Sequence, residues 1–428
     1  MANPAAAAEV RVLSGGTRLI SVPLPERASV AVAFMVKVGS RYEDDARSGL
    51  SHFVEHMAFK GGGRYPTARD VSEAIEGVGG VLNAATDREA TVFWTRVPKS
   101  HLRLAISVLV DMLVQPALDP AEVVKERQVV IEELRMYQDN PQEYVQIVFD
   151  EVMWPGHPLG RDVAGREETV RAFTADDCQA HLAAHLRPDT LVVSIAGAHD
   201  ADEAAACVDA EVRAWADRAR SPRGPAAPAA APFGEPLRVV RRAAEQANVL
   251  VGARAPSYFD TDRYVVDILN VLLGEGMSSR LFLELRERRG LVYDVHSFVS
   301  RLADTGVMGI SLGCEPRRAA TALRAALAEW RQLAAEPVPA AELTKAKEYA
   351  KGRLLLQLES TSALCEFAGQ QELLTDKIIT ADEVVARLDD VDATGVQRVA
   401  QRLLAGGLRA AVVGPFRGES RFAAALVE

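Results

Sequence analysis

The chain has no Cys-x-x-Cys pair, no apolar run of membrane-spanning length and no block of basic residues. Each absence removes a class of protein. Its cysteines, Cys178, Cys207, Cys314 and Cys365, are too widely spaced for a disulfide framework, which fits a reducing compartment and small buried side chains. Apolar stretches well short of ~20 residues give no transmembrane helix and no membrane partner. Acidic and basic residues are interspersed, with a formal net charge of -10, so a nucleic-acid partner is not expected. The opening MANPAAAAEVRVL has neither a basic start nor an apolar core of signal-peptide size. The expectation is a cytoplasmic protein.

What remains is an ordinary globular composition, 48% hydrophobic and 25% charged, over 428 residues, which is enough for several domains with sizeable cores. One segment breaks the pattern. Residues 215–236, WADRARSPRGPAAPAAAPFGEP, have no hydrophobic period and read as a linker. It divides the chain into an N-terminal domain, 1–214, and a C-terminal domain, 237–428. Each half opens on an apolar, β-prone stretch (ASVAVAFMVKV and ANVLVGAR), then a charged turn, then an apolar helical stretch (GLSHFVEHMAF and VVDILNVLLG). In the first half, 67–77 read as a helix ending at glycine and 79–97 as two strands around a polar turn. Residues 101–114 read as a helix, and Asp119-Pro120 starts a longer one reaching about Gln138. No strict strand–helix–strand repeat appears, so the expected class is α+β: two related halves, each a mixed sheet packed with helices.

The chemistry concentrates in His52-Phe53-Val54-Glu55-His56. On a helix, His52 and His56 share a face and can reach one ion, while Glu55 lies on the same arc. Zinc hydrolysis needs two neutral imidazoles and a nearby carboxylate that takes a proton from water instead of ligating. The pattern is the reverse of the commoner HExxH. A third protein ligand is still required. The helix after Asp119 offers Glu122, Glu126, Glu132 and Glu133. Glu126 and Glu133, seven apart, share a face, so that one can ligate while the other supports it. The residues alone leave open which does which. A second pair, His181 and His185, has no acid beside it and makes a weaker candidate. His157 lies in a loop and reads as structural.

These residues resemble the pitrilysin, or insulysin and mitochondrial-processing-peptidase, family (M16). Its pattern is H-x-x-E-H, then 76 residues, then a glutamate ligand, and 76 residues separate His56 from Glu133 here. The resemblance therefore implies one zinc per chain held by His52, His56 and Glu133, with Glu55 as catalytic base and Glu126 as a supporting acid. Phe59 fits the family's sequence after the second histidine and is grouped with the substrate contacts. Asn83-Ala84 resembles the family's edge strand, which pairs with substrate backbone. In the second half, FLELRERRGLVYDV resembles a stretch carrying an arginine–tyrosine pair, Arg286 and Tyr293, implied to hold substrate and the developing oxyanion. The length matches the short bacterial branch, whose chains pair into closed chambers. The implied function is a zinc metalloendopeptidase of extended or unfolded peptides, acting as a homodimer. The family also contains non-catalytic or partner-dependent subunits, which typically lack part of the metal motif; here it is intact.

Overall fold

A computed structural model describes residues 8–213, 215 and 234–427. The 215–236 segment therefore falls largely outside the described residues. Trp215, its first residue, is 3% exposed and belongs to a hydrophobic core. The described residues gather into two compact units. The first takes those of Met1–Leu134, Asp162–Pro228 and Leu355–Asp382; the second takes those of Arg135–Arg161, Ala229–Leu354 and Glu383–Glu428. The units are thus not simple halves of the chain, because each takes in a segment from the far side of residues 215–236.

The first unit is built on six strands: β1 (Glu9–Val12), β2 (Arg18–Pro23), β3 (Ser29–Val36), β4 (Val81–Thr86), β5 (Thr91–Pro98) and β6 (Leu191–Gly197). Their order is β1-β2-β6-β3-β5-β4; β2 and β6 run parallel and the other pairs antiparallel. Its helices include α1 (Leu50–Ala58), α2 (Ala68–Glu76), α3 (Leu102–Val114) and the N-terminal part of α4 (Pro120–Asp139). The central strand β3 is buried on both faces, and its alternation divides the work. Val30, Val32, Phe34 and Val36 join the core with Ile106, Leu109 and Leu113 of α3. The opposite face, with Ala31, Ala33 and Met35, receives the helix Thr361–Thr375. That helix comes close. A Cβ on its Gly369 would lie 2.6 Å from Met35 Sδ and 2.9 Å from Ser194 Cβ. Beside it, Ser194 Oγ donates to the Cys365 carbonyl at 2.7 Å, and Cys365 Sγ to the Ser194 carbonyl at 3.1 Å.

The second unit has five strands: β7 (Leu237–Arg241), β8 (Ala247–Ala255), β9 (Asp294–Arg301), β10 (Gly306–Cys314) and β11 (Arg409–Gly414). Their order, β7-β11-β8-β10-β9, repeats β2-β6-β3-β5-β4 strand for strand, including the parallel first pair. Its sheet receives α5 (Pro141–Met153), which precedes it in the chain by almost a hundred residues. The fold is α+β with duplicated halves. Helices come where the sequence places them: α2 ends at Gly77, α3 covers 102–114, and Asp119 Oδ1 accepts the Ala121 amide at 2.7 Å as α4 begins. The stretch Phe282–Arg288 differs from a plain helix, since it winds as a π-helix. Among the described residues, no helix is long and apolar enough to cross a membrane.

Candidate metal centre

The histidine pair rides on α1, and local chemistry fixes that helix. Its N-cap is Gly49 at φ +93°, a left-handed conformation in which an added Cβ would meet the Ala164 carbonyl oxygen at 2.4 Å. With no side chain to cap the helix from Gly49, Glu43 does so, accepting the Gly49 amide at 2.7 Å and the Ser51 amide at 2.6 Å. The inward face, Leu50, Phe53, Val54 and Met57, is buried in one cluster with Val123, Val130, Ile131 and Leu134 of α4. Each such side chain stabilises by roughly 1.5–3 kcal/mol, so this cluster sets the spacing of the two helices. Gly49→Ala is expected to lower the unfolding midpoint of the protein, since the left-handed backbone alone costs about 1–2 kcal/mol with a Cβ present. Thermal unfolding in a chelator checks this without interference from bound metal.

Packing of α1 on α4 brings His52, His56 and Glu133 together. Among the described residues they form the group of His, Cys, Asp or Glu able to hold a metal, with one donor atom from each lying within 4.8 Å of the others. Glu133 Oε2 is 3.8 Å from His52 Nε2 and 3.6 Å from His56 Nε2. These separations are too long for hydrogen bonds and close to the ligand–ligand edge of about 3.4 Å in a tetrahedron with zinc bonds of ~2.0–2.1 Å. The donor set, two imidazoles and a carboxylate, is one that zinc uses in hydrolytic sites. The residues present therefore fit zinc.

Glu126 occupies a core position on α4, 4% exposed, in line with Val123 and Val130. A buried carboxylate needs partners. Its Oε1 pairs with His56 Nδ1 at 2.9 Å, and its Oε2 with the Lys60 ammonium. Burial alone would raise its pKa, but the hydrogen bonds from His56 and Lys60 prevail and hold it below the usual carboxylate range. The bond through Nδ1 leaves His56 Nε2 turned toward Glu133, the arrangement by which an outer carboxylate orients an imidazole ligand. Burial and the neighbouring His56 push His52 down to about 4, against the pull of Glu133, so that ring is neutral as a ligand must be. For His56, burial opposes charge, yet Glu126, Glu133 and Glu55 together carry its pKa upward. Glu55 is half-buried, and burial raises its pKa, while the hydrogen bond from the Thr86 side chain and the charge of the nearby His56 oppose the rise. Its Oε2 accepts the Thr86 hydroxyl at 2.6 Å.

Thr86 is the last residue of β4, the edge strand of its sheet in the described residues. Asn83 is exposed on that strand and Ala84 half-buried, with the Asn83 side chain accepting the Ala84 amide at 2.8 Å. Phe59 caps the C-terminus of α1, with its ring centroid 6.4 Å from that of Phe93 and packed against the core; the contact described for it is one of packing. Arg286 and Tyr293 belong to the second unit. The Arg286 guanidinium lies 5.0 Å from the Phe282 ring centroid, and Tyr293, 61% exposed, donates its amide to the Gly313 carbonyl. The rings of His181 and His185 lie 4.7 Å apart, centroid to centroid, with their planes tilted by 47°, and among the described residues no further donor completes them into a three-ligand group. His157 is buried and accepts the Leu159 amide, a structural cap. Thr86 and Lys60 carry no mark in the sequence beyond their spacing, three residues after Asn83 and four after His56.

Residues 18–167 match the family model described as insulinase (peptidase family M16), and residues 172–349 match the model described as the peptidase M16 inactive domain. A Streptomyces coelicolor protein named an uncharacterized zinc protease is 35% identical over 95% of this chain and 89% of its own length. A Bacillus subtilis protein of the same description is 31% identical over 94% of this chain and 96% of its own. Among solved structures, a protease from Helicobacter pylori has the same fold, with a TM-score of 0.88 at 23% identity, covering 96% of this chain and all 100% of that one.

Proposed function

The chain belongs to the M16 peptidase family, and from that membership and its candidate metal centre we propose that it is a zinc-dependent metalloendopeptidase that cuts extended or unfolded peptides. The observation that carries the reading is the convergence of His52, His56 and Glu133 beside a carboxylate, Glu55, that is held by Thr86. These three residues would hold one zinc per chain. When bound, zinc acidifies a water and polarises the scissile carbonyl. Glu55 takes the proton from the attacking water and passes it to the leaving amine. The open edge of β4 at Asn83 and Ala84 gives main-chain hydrogen bonds to an extended peptide, a grip that depends little on side chains. By family resemblance Arg286 steadies substrate backbone or carboxylate, and Tyr293 donates to the developing oxyanion.

Glu126 supports the centre through His56. Glu126→Gln keeps the shape but weakens the pairing with Lys60 and His56. Zinc affinity is expected to fall by roughly 10–100-fold, as read by competition with a chelator of known affinity.

The working assembly is a homodimer enclosing a chamber, and a sedimentation mass equal to one chain at assay concentration would count against it. Activity itself is tested with a mixed set of quenched fluorescent peptides and the zinc-loaded protein. Cleavage that a chelator abolishes and zinc restores supports the reading. Failure to cut any of them would favour a non-catalytic or partner-dependent subunit.

A further inference from the structure

We propose that Thr86 is a positioning residue for Glu55, and that β4 thereby sets the catalytic base and the peptide on one rigid strand; this rests on the peptidase reading above. The hydroxyl of Thr86 is 2.6 Å from Glu55 Oε2. The direction of the bond follows from proton counting. An ionised carboxylate only accepts, and a threonine hydroxyl has one proton to give. The nearest competing acceptor, Thr91 Oγ1, is 3.4 Å away, and Thr91 donates its own proton to the Val38 carbonyl at 2.9 Å. The Thr86 proton therefore goes to Glu55.

The donor is also well anchored. The turn that follows Thr86 is closed by Asp87 Oδ1, which accepts the amides of Glu89 at 2.6 Å and Ala90 at 2.8 Å. It is clamped from outside by the Ser40 amide on the Asp87 carbonyl and the Arg41 amide on the Arg88 carbonyl. Arg41 and Glu89 pair beneath it, with side chains 1% and 4% exposed. Two residues beyond Arg41, Glu43 caps α1, the helix that carries Glu55. One short stretch, residues 40–43, thus ties the β4 turn to the start of the catalytic helix. Glu55 has several rotatable bonds, and Thr86 removes the freedom that would let it swing from its working orientation. Asn83 and Ala84 lie three and two residues before Thr86 on the same strand, so a peptide added to that edge is registered against the base by construction.

The test uses Thr86→Val, which keeps the shape and deletes the hydroxyl, and Thr86→Ser, which keeps the hydroxyl. Thr86→Val is expected to lower kcat roughly 10–100-fold, the worth of a hydrogen bond to a charged group, with KM and zinc content little changed. Thr86→Ser should recover most of the loss. An unchanged kcat in Thr86→Val, or no recovery in Thr86→Ser, overturns the proposal. A second readout needs neither metal nor activity. In chelator, Thr86→Val should lower the unfolding midpoint of the wild type but not that of Glu55→Ala; equal shifts in both backgrounds overturn it. A wild type that cuts no peptide while this coupling is present rejects the peptidase reading and upholds the Thr86–Glu55 link.

Discussion

Glu55→Gln is expected to keep zinc at one per chain while peptide turnover falls at least about 100-fold, because a positioned general base contributes 10²–10⁴-fold. The substitution keeps the size of the side chain and an oxygen able to accept the Thr86 hydroxyl, so α1 and its capping by Glu43 are undisturbed. What it removes is the capacity to accept a proton. His52, His56 and Glu133 keep their own contacts, since Glu55 contributes charge to His56 but no hydrogen bond to any of the three. Zinc content by atomic emission, measured beside cleavage of a fluorescent peptide, separates the two roles. Zinc retained with full activity removes Glu55 from the mechanism; zinc lost along with activity makes it a ligand.

Glu133→Ala should give the complementary result. Its carboxylate stands 3.6 and 3.8 Å from the two imidazoles, and nothing else among the described residues completes their donor set. Deleting it leaves two histidines, too few to keep zinc against a chelator. The loss of affinity should exceed the roughly 10–100-fold expected for the outer carboxylate Glu126, and activity should fall to background. Added zinc should restore little of it, whereas chelator-stripped wild type should recover on addition of zinc. The fold should persist, because Glu133 lies outside the line of Val123, Val130 and Leu134 that anchors α4. A Glu133→Ala protein with full zinc would assign the third ligand elsewhere, with Glu126 the first alternative.

Much of this was legible in the sequence because it is written in local periodicity. The apolar, β-prone run ASVAVAFMVKV gives β3, the glycine closing 67–77 ends α2, and the four-residue step between His52 and His56 gives a shared helix face. The division of labour between Glu126 and Glu133 was not legible from those residues, since both lie on one face of α4. It needed either the family spacing or the packing of α1, which puts Glu126 against Nδ1 of His56 and Glu133 against Nε2. Thr86 and Lys60 were invisible for a related reason. A hydroxyl at a strand end and a lysine past a helix end are common, and only their partners, Glu55 and Glu126, distinguish them. The traded segments were illegible too. Hydrophobic pattern says that the helix Thr361–Thr375 must cover something, not that it covers Ala31, Ala33 and Met35 more than three hundred residues earlier.

That trade has a consequence for biosynthesis. As the polypeptide leaves the ribosome, β3 and β6 can pair long before residue 361 is made, but one side of their sheet has no lid until then. Translation at ≈ 5–20 residues per second leaves it bare for roughly 10–30 s. During that interval the nascent chain exposes a greasy, strand-rich surface, the kind that chaperones bind and that sticks to its neighbours. Maturation of the first unit is thus a late event, timed by the arrival of the distant helix and not by completion of the first half of the gene.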